Sequence, residues 1–251
     1  MIRLNSYEMR KIIAVKNLEY IYPDGTSALK GIDLDIFKSE SIGLIGPNGA
    51  GKSTLLLHLN GILGEGRASI EILGMKVEEK NLIKIRQKVA IVFQEPDDQL
   101  FMPTVFDDVA FGPINTGYSE EKVRKKVKEA LKEVGMAGYE KRCSHHLSLG
   151  EKKRISLATV LSMQPEILIL DEPTSNLDPR VRRHLIELLK NLNLTKIVAG
   201  HDLELILEIC QRVILLDEGK IVTKGETREV LSNKSLMEYH GLEVPLSLRY
   251  R

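Results

Sequence analysis

Gly46-Pro47-Asn48-Gly49-Ala50-Gly51-Lys52-Ser53-Thr54 is the stretch on which the reading of this chain turns. Upstream, Ser41-Ile42-Gly43-Leu44-Ile45 is a short apolar run of strand type, and downstream Thr54 to Asn60 reads as a helix stopped near Gly61. A strand, a glycine-rich loop closing on Gly-Lys-Ser and a helix make a phosphate-binding P-loop in the context it requires. The glycines let successive backbone N–H groups converge on phosphate, and the helix start adds a partial positive charge. Lys52 can reach the β- and γ-phosphates, while Ser53 can offer its hydroxyl to Mg²⁺. A chance glycine turn ahead of a surface helix would leave the strand before it unexplained. The loop implies nucleotide binding.

Composition sets the outer bounds. The 251 residues allow one large α/β domain or two small ones, and an apolar fraction of 43% supplies a core. A formal charge of +1 argues against a strongly basic nucleic-acid surface, so no nucleic-acid partner is expected. No apolar run has the length to span a bilayer, and the N-terminus lacks a signal-peptide core. Cys143 and Cys210 make no disulfide framework, which leaves a reducing cytoplasm as the default.

Outward from the loop, residues 1 to 11 read as a polar leader in which Met9 could be the true start. Ile13, Val15 and Leu18 suggest a strand, Asp24-Gly25 a turn, and the alternation of Ile32, Leu34 and Ile36 with polar residues a second, half-exposed strand. An antiparallel ribbon therefore precedes the P-loop strand. Tyr22, beside the turn, could stack on a base or be an ordinary strand aromatic. Residues 68–73 and 89–93 read as strands with a helix around Leu82–Lys88 between them, and Gln94 follows the second strand directly. Ligand-facing groups collect where the strands of an open α/β sheet end, so this amide could sense Mg²⁺ or the attacking water.

Residues 95 to 155 read as a helical insertion. Pro96, Pro103 and Pro113 punctuate its first part, and one clear helix opens at Ser119-Glu120-Glu121, carries Val123, Val127, Leu131 and Val134, and closes at Gly135. Its lysine-rich face reads as solvated. Leu147-Ser148-Leu149-Gly150-Glu151 precedes a further helix. Ser148 and Gly150 could form a second anion site there, although Ser148 taken locally reads as an N-cap.

Acids gather at the remaining strand tips. Ile167 to Leu170, an unbroken apolar run suited to burial on both faces, leads into Asp171-Glu172. Asp171 can hold Mg²⁺, and Glu172 can accept a proton from an attacking water. A loop through Asp178 then leads to a helix from about Arg180 to Leu192. Lys196 to Ala199 ends at His201, which can hydrogen-bond a γ-phosphate, and Asp202, a cap for the next helix. Residues 213–222 close a hairpin, and residues 226–251 add one short helix and a tail.

From about Ile12 to Glu226 these motifs, in this order, resemble the ATP-binding subunits of ATP-binding cassette (ABC) transporters. The resemblance implies an α/β P-loop NTPase core, a mostly parallel sheet flanked by helices, with an antiparallel β subdomain and a helical insertion. In that architecture residues 1–225 are the ATPase domain, with its helical subdomain at about 95–155, and 226–251 a short C-terminal extension. Gly46 to Thr54 match Walker A, which makes Asn48, Gly49, Ala50, Gly51, Lys52, Ser53 and Thr54 nucleotide ligands. Tyr22 falls at the base-stacking aromatic, Gln94 at the Q-loop, Leu147–Glu151 at the family signature, Ile167–Glu172 at Walker B, Asp178 at the D-loop and His201 at the switch histidine. The implied cofactors are ATP and Mg²⁺, the latter on Ser53, Gln94 and Asp171; the implied catalytic residues are Glu172, His201, Gln94 and Lys52. The signature departs from the usual Leu-Ser-Gly-Gly-Gln at Leu149 and Glu151. Leu149 adds bulk where backbone normally approaches phosphate, and Glu151 can place negative charge there.

Phe93 to Phe101, Thr104 to Pro113, Tyr22 to Thr26 and Gly241 to Pro245 are more narrowly similar to the ATPases of energy-coupling factor (ECF) importers, including cobalt and nickel systems. That similarity implies a second ATPase subunit, identical or related. It also implies a transmembrane coupling protein, a substrate-binding membrane protein and a peripheral place on the cytoplasmic face of the cell membrane. Gln99, Leu100 and Phe101 are expected near the coupling surface. One chain has one P-loop and no evident arginine finger, a device worth about 10³ to 10⁵ in rate. A head-to-tail pair, in which Ser148 and Gly150 of one subunit cap the other's nucleotide, answers both points. Rival readings are an ABC ATPase without a membrane partner, a weakly hydrolysing regulatory member of a pair, and a generic P-loop kinase.

Overall fold

The computed structural model describes residues 10–64 and 67–249. The leader and the alternative start at Met9 fall almost wholly on 1–9, outside the described residues. In chain order the structure comprises β1 (Lys11–Ile21), β2 (Ser27–Phe37), β3 (Ser41–Ile45), α1 (Lys52–Leu59), β4 (Arg67–Ile72), β5 (Met75–Lys76), α2 (Glu79–Lys88) and β6 (Val89–Val92). The insertion carries α3 (Val105–Asn115), α4 (Glu120–Glu133) and α5 (Leu149–Leu161). Then come β7 (Ile167–Asp171), α6 (Pro179–Asn191), β8 (Thr195–Ala199), α7 (Leu203–Ile209), β9 (Arg212–Asp217), β10 (Lys220–Glu226), α8 (Thr227–Ser232), α9 (Lys234–Tyr239) and α10 (Leu246–Arg249).

Two sheets organise these elements. One is antiparallel in the order β2-β1-β4-β5; the other runs β10-β9-β3-β8-β7-β6 and is parallel except at β10. The parallel strands alternate between two cores because successive side chains point to opposite faces. Ile167 and Ile169 of β7 join a core with α1 and the antiparallel sheet, whereas Leu168 and Leu170 join the core built by α3 to α7. Burial on both faces explains why this strand and its neighbours are unbroken apolar runs.

Three local features refine or correct the sequence reading. A helix, α3, occupies the proline-punctuated stretch, capped by Thr104, whose Oγ1 accepts the Asp107 N–H at 3.2 Å. Pro113 lies inside it and cannot donate to the Val109 carbonyl; Ser162 Oγ donates to that carbonyl instead, at 3.0 Å. The helix after the signature starts inside it, at Leu149, with Ser148 as its cap. Within 226–251 the described residues hold three short helices rather than one and a tail. Glu226 and Asn233 cap α8 and α9 by accepting the N–H groups of Glu229 and Leu236, and Val230, Leu231, Met237 and Leu242 enter the helical core. Helices of four to six residues are too short to show a helical period, so only their caps were there to be read.

Candidate active site

Because β3, β8, β7 and β6 are adjacent and parallel, their C-terminal ends deliver the P-loop, His201, Asp171-Glu172 and Gln94 to one edge. Gly51 caps α1 at φ 99°, and a Cβ on it would meet the Ala28 carbonyl oxygen at 2.6 Å, so only glycine fits. The buried Lys52 ammonium donates to the carbonyls of Gly46 and Pro47 at 2.8 and 3.0 Å. Burial draws its pKa down, against the pull of Glu172 and Asp171. Burial pushes the Asp171 carboxyl above its ordinary value, opposed by the Ser53 hydroxyl, Lys52 and His201. A half-buried carboxyl beside a hydroxyl is a donor set that fits Mg²⁺, a hard cation that usually takes one or two carboxylates and completes its shell with water and phosphate. Among the described residues no cluster of three His, Cys, Asp or Glu forms a cage by itself.

Glu172 lies just past β7 in the left-handed region, φ 46°. That turn sends its carboxylate away from Asp171 toward β8: Oε2 accepts the His201 N–H at 3.2 Å, and Oε1 lies 3.5 Å from His201 Nε2. The same Nε2 is 2.8 Å from Asn48 Oδ1, so Glu172, His201 and the P-loop are in direct contact. Gly200 makes this possible, since a Cβ there would come within 2.9 Å of Glu172 Oε2.

A cavity of about 320 Å³ is lined by Tyr22, Asn48 to Thr54, Gln94, Asp171, Glu172 and His201, together with Thr26, Ser27 and Ala28, which the sequence reading did not single out. Its size is that of a small-ligand pocket. Tyr22 is tied to the P-loop helix through its hydroxyl, 3.0 Å from Thr54 Oγ1, and Tyr20 backs it edge-on at 5.0 Å.

Ser148, Gly150 and Asp178 do not line this cavity. Ser148 heads α5 in a capping box: Glu151 N–H reaches Ser148 Oγ at 3.4 Å, and Glu151 Oε2 accepts the Ser148 N–H and hydroxyl at 2.9 and 2.8 Å. Tyr139 donates to the other Glu151 oxygen at 2.8 Å. Bonds from the Ser148 backbone, the Ser148 hydroxyl and Tyr139 hold this carboxyl below its usual range. The negative charge therefore sits on the signature serine rather than swinging free. Gly150 has a packing reason of its own: a Cβ would meet Val181 Cγ1 of α6 at 2.4 Å. Asp178 caps α6, accepting the N–H groups of Arg180 and Val181, both at 3.0 Å.

The Arg182–Asp202 pair and the buried Lys153 escaped the sequence reading. Asp202 caps α7 as expected, but it also takes a two-pronged contact from Arg182, both arms 2.6 Å, and the Thr174 hydroxyl at 2.8 Å. Lys153 is 6% exposed and reaches Gln94, Glu172 and Ser175. Its signal was its place in α5, on the same face as Gly150 and Leu157 and so turned inward, but it is masked by Lys152 and Arg154 on either side.

Strand-tip acids, a P-loop and a histidine around one small-ligand pocket define a P-loop nucleoside triphosphatase. Comparison with known proteins narrows the class. Residues 29–175 match the ABC transporter family model. The ECF transporter ATP-binding protein EcfA of Methanothermobacter thermautotrophicus is 48% identical over 239 residues, covering 93% of this chain and 77% of that protein. Among solved structures, cbiO1 from Clostridium perfringens, described as part of the ABC transporter complex cbiONQ, superposes with a TM-score of 0.81 at 38% identity, covering 96% of each chain. An ATP-binding cassette solved as a dimer in a post-hydrolysis state with ADP and Pi gives 0.77 at 28% identity, over 86% of this chain and 99% of that one. The chain belongs to the ABC transporter family and is an ATPase of that family, with ECF transporter ATPases among its relatives.

Proposed function

We propose that this chain is one half of a two-fold ATPase pair that drives import of a vitamin or transition-metal ion through a membrane complex. The observation that carries the reading is the separation of Ser148, Gly150 and Asp178 from the pocket that holds every other nucleotide ligand. A second copy, or a related chain, placed head to tail would bring its signature over the γ-phosphate, in a closed two-fold arrangement. The dimeric cassette among the structural relatives supports such a pair; the relatives named for ECF and cbiONQ complexes support the membrane partners and a peripheral, cytoplasmic-face location. Among the described residues no helix is long and apolar enough to cross a membrane.

In this reading Tyr22 stacks on the adenine, the P-loop amides and Lys52 hold the phosphates, and Glu172 takes the proton of the attacking water. His201, braced by Asn48 and Glu172, meets the γ-phosphate, and Gln94 orients the water. Ser53, Asp171 and Gln94 would hold Mg²⁺, which neutralises charge on the phosphate oxygens during transfer. Glu172 as base contributes about 10² to 10⁴ in rate.

The surface for the transmembrane coupling protein is an apolar groove of about 510 Å³ between the sheet edge and the insertion, lined in part by Ile62, Phe101, Phe111, Val160 and Met163. Phe101 and Phe111, 58% and 44% exposed, stack edge to face at its rim. Of the three residues expected there, Leu100 is a core residue, while Gln99 and Phe101 both line the groove. Gln99 is anchored to α5 through Ser156 O and Thr159 Oγ1, which leaves Phe101 as the exposed one. A second reading, weak hydrolysis beside a more active sister ATPase, is favoured by the Glu151 carboxylate on Ser148; steady-state ATPase of the chain alone against the mixed pair separates the two.

The direct test is Glu172→Gln. With ATP it should accumulate a stable dimer by size exclusion while hydrolysis falls about 10² to 10⁴-fold. Wild-type turnover in that variant would remove Glu172 as the base.

A further inference from the structure

We propose that Lys153 is a positioning residue for hydrolysis: its ammonium clamps the main chain of Gln94 and Glu172 and the side chain of Ser175, and so fixes the turn that aims the Glu172 carboxylate. Its Nζ donates to the Gln94 carbonyl at 3.2 Å, the Glu172 carbonyl at 3.1 Å and Ser175 Oγ at 2.9 Å. Ser175 donates to the same Glu172 carbonyl through Oγ at 2.9 Å and through its N–H at 3.2 Å, so that oxygen receives three donors.

The arrangement is unusual for a lysine. Long cations are almost never buried unless paired with a carboxylate, yet Lys153 bonds only neutral acceptors among the described residues. Three N–H groups meet three acceptors. The ammonium serves here as a set of donors, and the Glu95 and Glu172 carboxylates nearby favour its charge against the cost of burial. Glu172 is the residue that needs those donors: a non-glycine residue at φ 46° persists only where its surroundings over-determine it. Lys153 also stands on α5, one turn beyond Ser148 and Gly150. The helix that presents the signature is thus bonded to the backbone of Gln94 and of Glu172. A shift of α5 relative to the sheet has to carry Glu172 with it or break these bonds.

This inference rests on Glu172 acting as the base, and the test keeps the two apart. Lys153 lines a cavity of about 10 Å³ together with Val92, Leu157, Leu170 and Leu185. Methionine therefore has an apolar bed and removes only the donors. In the full chain, with its pairing partner, ATP affinity is read with a fluorescent ATP analogue and kcat at saturating Mg-ATP. Lys153→Met should lower kcat by about 10² and leave affinity within about threefold. Lys153→Gln, which brings back two N–H donors without charge, should recover at least about tenfold of that loss. Ser175→Ala, which removes one of the three donors to the Glu172 carbonyl and one acceptor of the Lys153 ammonium, should lower kcat by about three- to tenfold. Wild-type kcat in Lys153→Met, parallel loss of affinity and kcat, or a glutamine no better than methionine would each overturn the proposal. If Lys153→Met does not fold, an unchanged kcat in Ser175→Ala overturns it as well. A Glu172→Gln variant that still turns over defeats the base assignment instead.

Discussion

Replacing Gly200 by alanine tests the placement of Glu172 with a single methyl group. On the existing backbone that Cβ lies 2.9 Å from Glu172 Oε2 and 3.3 Å from its Cδ, where ordinary contact starts at 3.4 Å. The φ of Gly200 is outside the left-handed region, so the perturbation is the contact alone. The carboxylate, the mobile end of its side chain, has to retreat by about 0.5 Å. The same oxygen accepts the His201 N–H at 3.2 Å, and a retreat of that size carries it out of hydrogen-bond range. A misplacement of about 1 Å costs about 10² in rate. Half of that predicts about a tenfold fall in kcat, or about 1.4 kcal/mol on the barrier, well inside the 10² to 10⁴ that the whole base supplies, to order of magnitude. Gly200 does not line the nucleotide pocket, so ATP affinity should stay within about twofold. The assay is kcat at saturating Mg-ATP, alongside nucleotide titration and a thermal melt. The decisive step is to repeat the substitution in a Glu172→Gln background, where the effect should vanish. A tenfold loss that persists there, or no loss in the first place, refutes the reasoning.

Tyr22→Ala should weaken ATP binding by about 1–3 kcal/mol, the worth of one base–aromatic stack, whereas Tyr22→Phe, which loses only the Thr54 contact, should cost less than 1 kcal/mol, to order of magnitude; equal losses in the two titrations would place the hydroxyl, not the ring, at the nucleotide. Asp202→Ala removes a helix cap and an Arg182 partner, and should cost about 2 kcal/mol in urea melts at neutral pH. Burial raises the Asp202 pKa, but Arg182, the Leu205 N–H and Thr174 outweigh that and leave it below the ordinary 3.8. The stabilisation is therefore complete above that value and lost as pH falls through the lower folded one. A gap between variant and wild type that stays constant down to about pH 2 would contradict this. Phe101→Glu should abolish transport in membrane vesicles with ATP affinity unchanged; intact transport would move the coupling contact off the groove rim.

Most of the parallel core was legible because each strand is a short apolar run that ends on a chemically distinctive residue. Gln94, Asp171 and His201 could be assigned to one edge before the strand order was known, since parallel strands share the direction in which they end. The α3 helix was not legible: Pro113 argues against it locally, and the group that compensates, the Ser162 hydroxyl, is far away in sequence. The contact of Glu172 with His201 depends on a left-handed backbone at a non-glycine residue, which no residue pattern announces. For Lys153 the difficulty is composition. A lysine among charged neighbours reads as solvent-facing, and only the packing of α5 against the sheet turns it inward. The C-terminal helices were hidden by their brevity.

Gly150 and Val181 interlock at the first turns of α5 and α6, and Asp178 fastens the head of α6 to its own backbone. If the partner's nucleotide meets both Ser148 and Asp178, it touches one rigid plate rather than two independent fingers. A push on either point tilts the other. Asp178 lies six residues beyond Glu172 in the chain, so such a tilt runs back along Thr174, Ser175 and Asn176 toward this subunit's own base. Closure at one nucleotide would thereby be felt at the other across a few residues of backbone, a short lever that would make the two halves of the pair fire in concert.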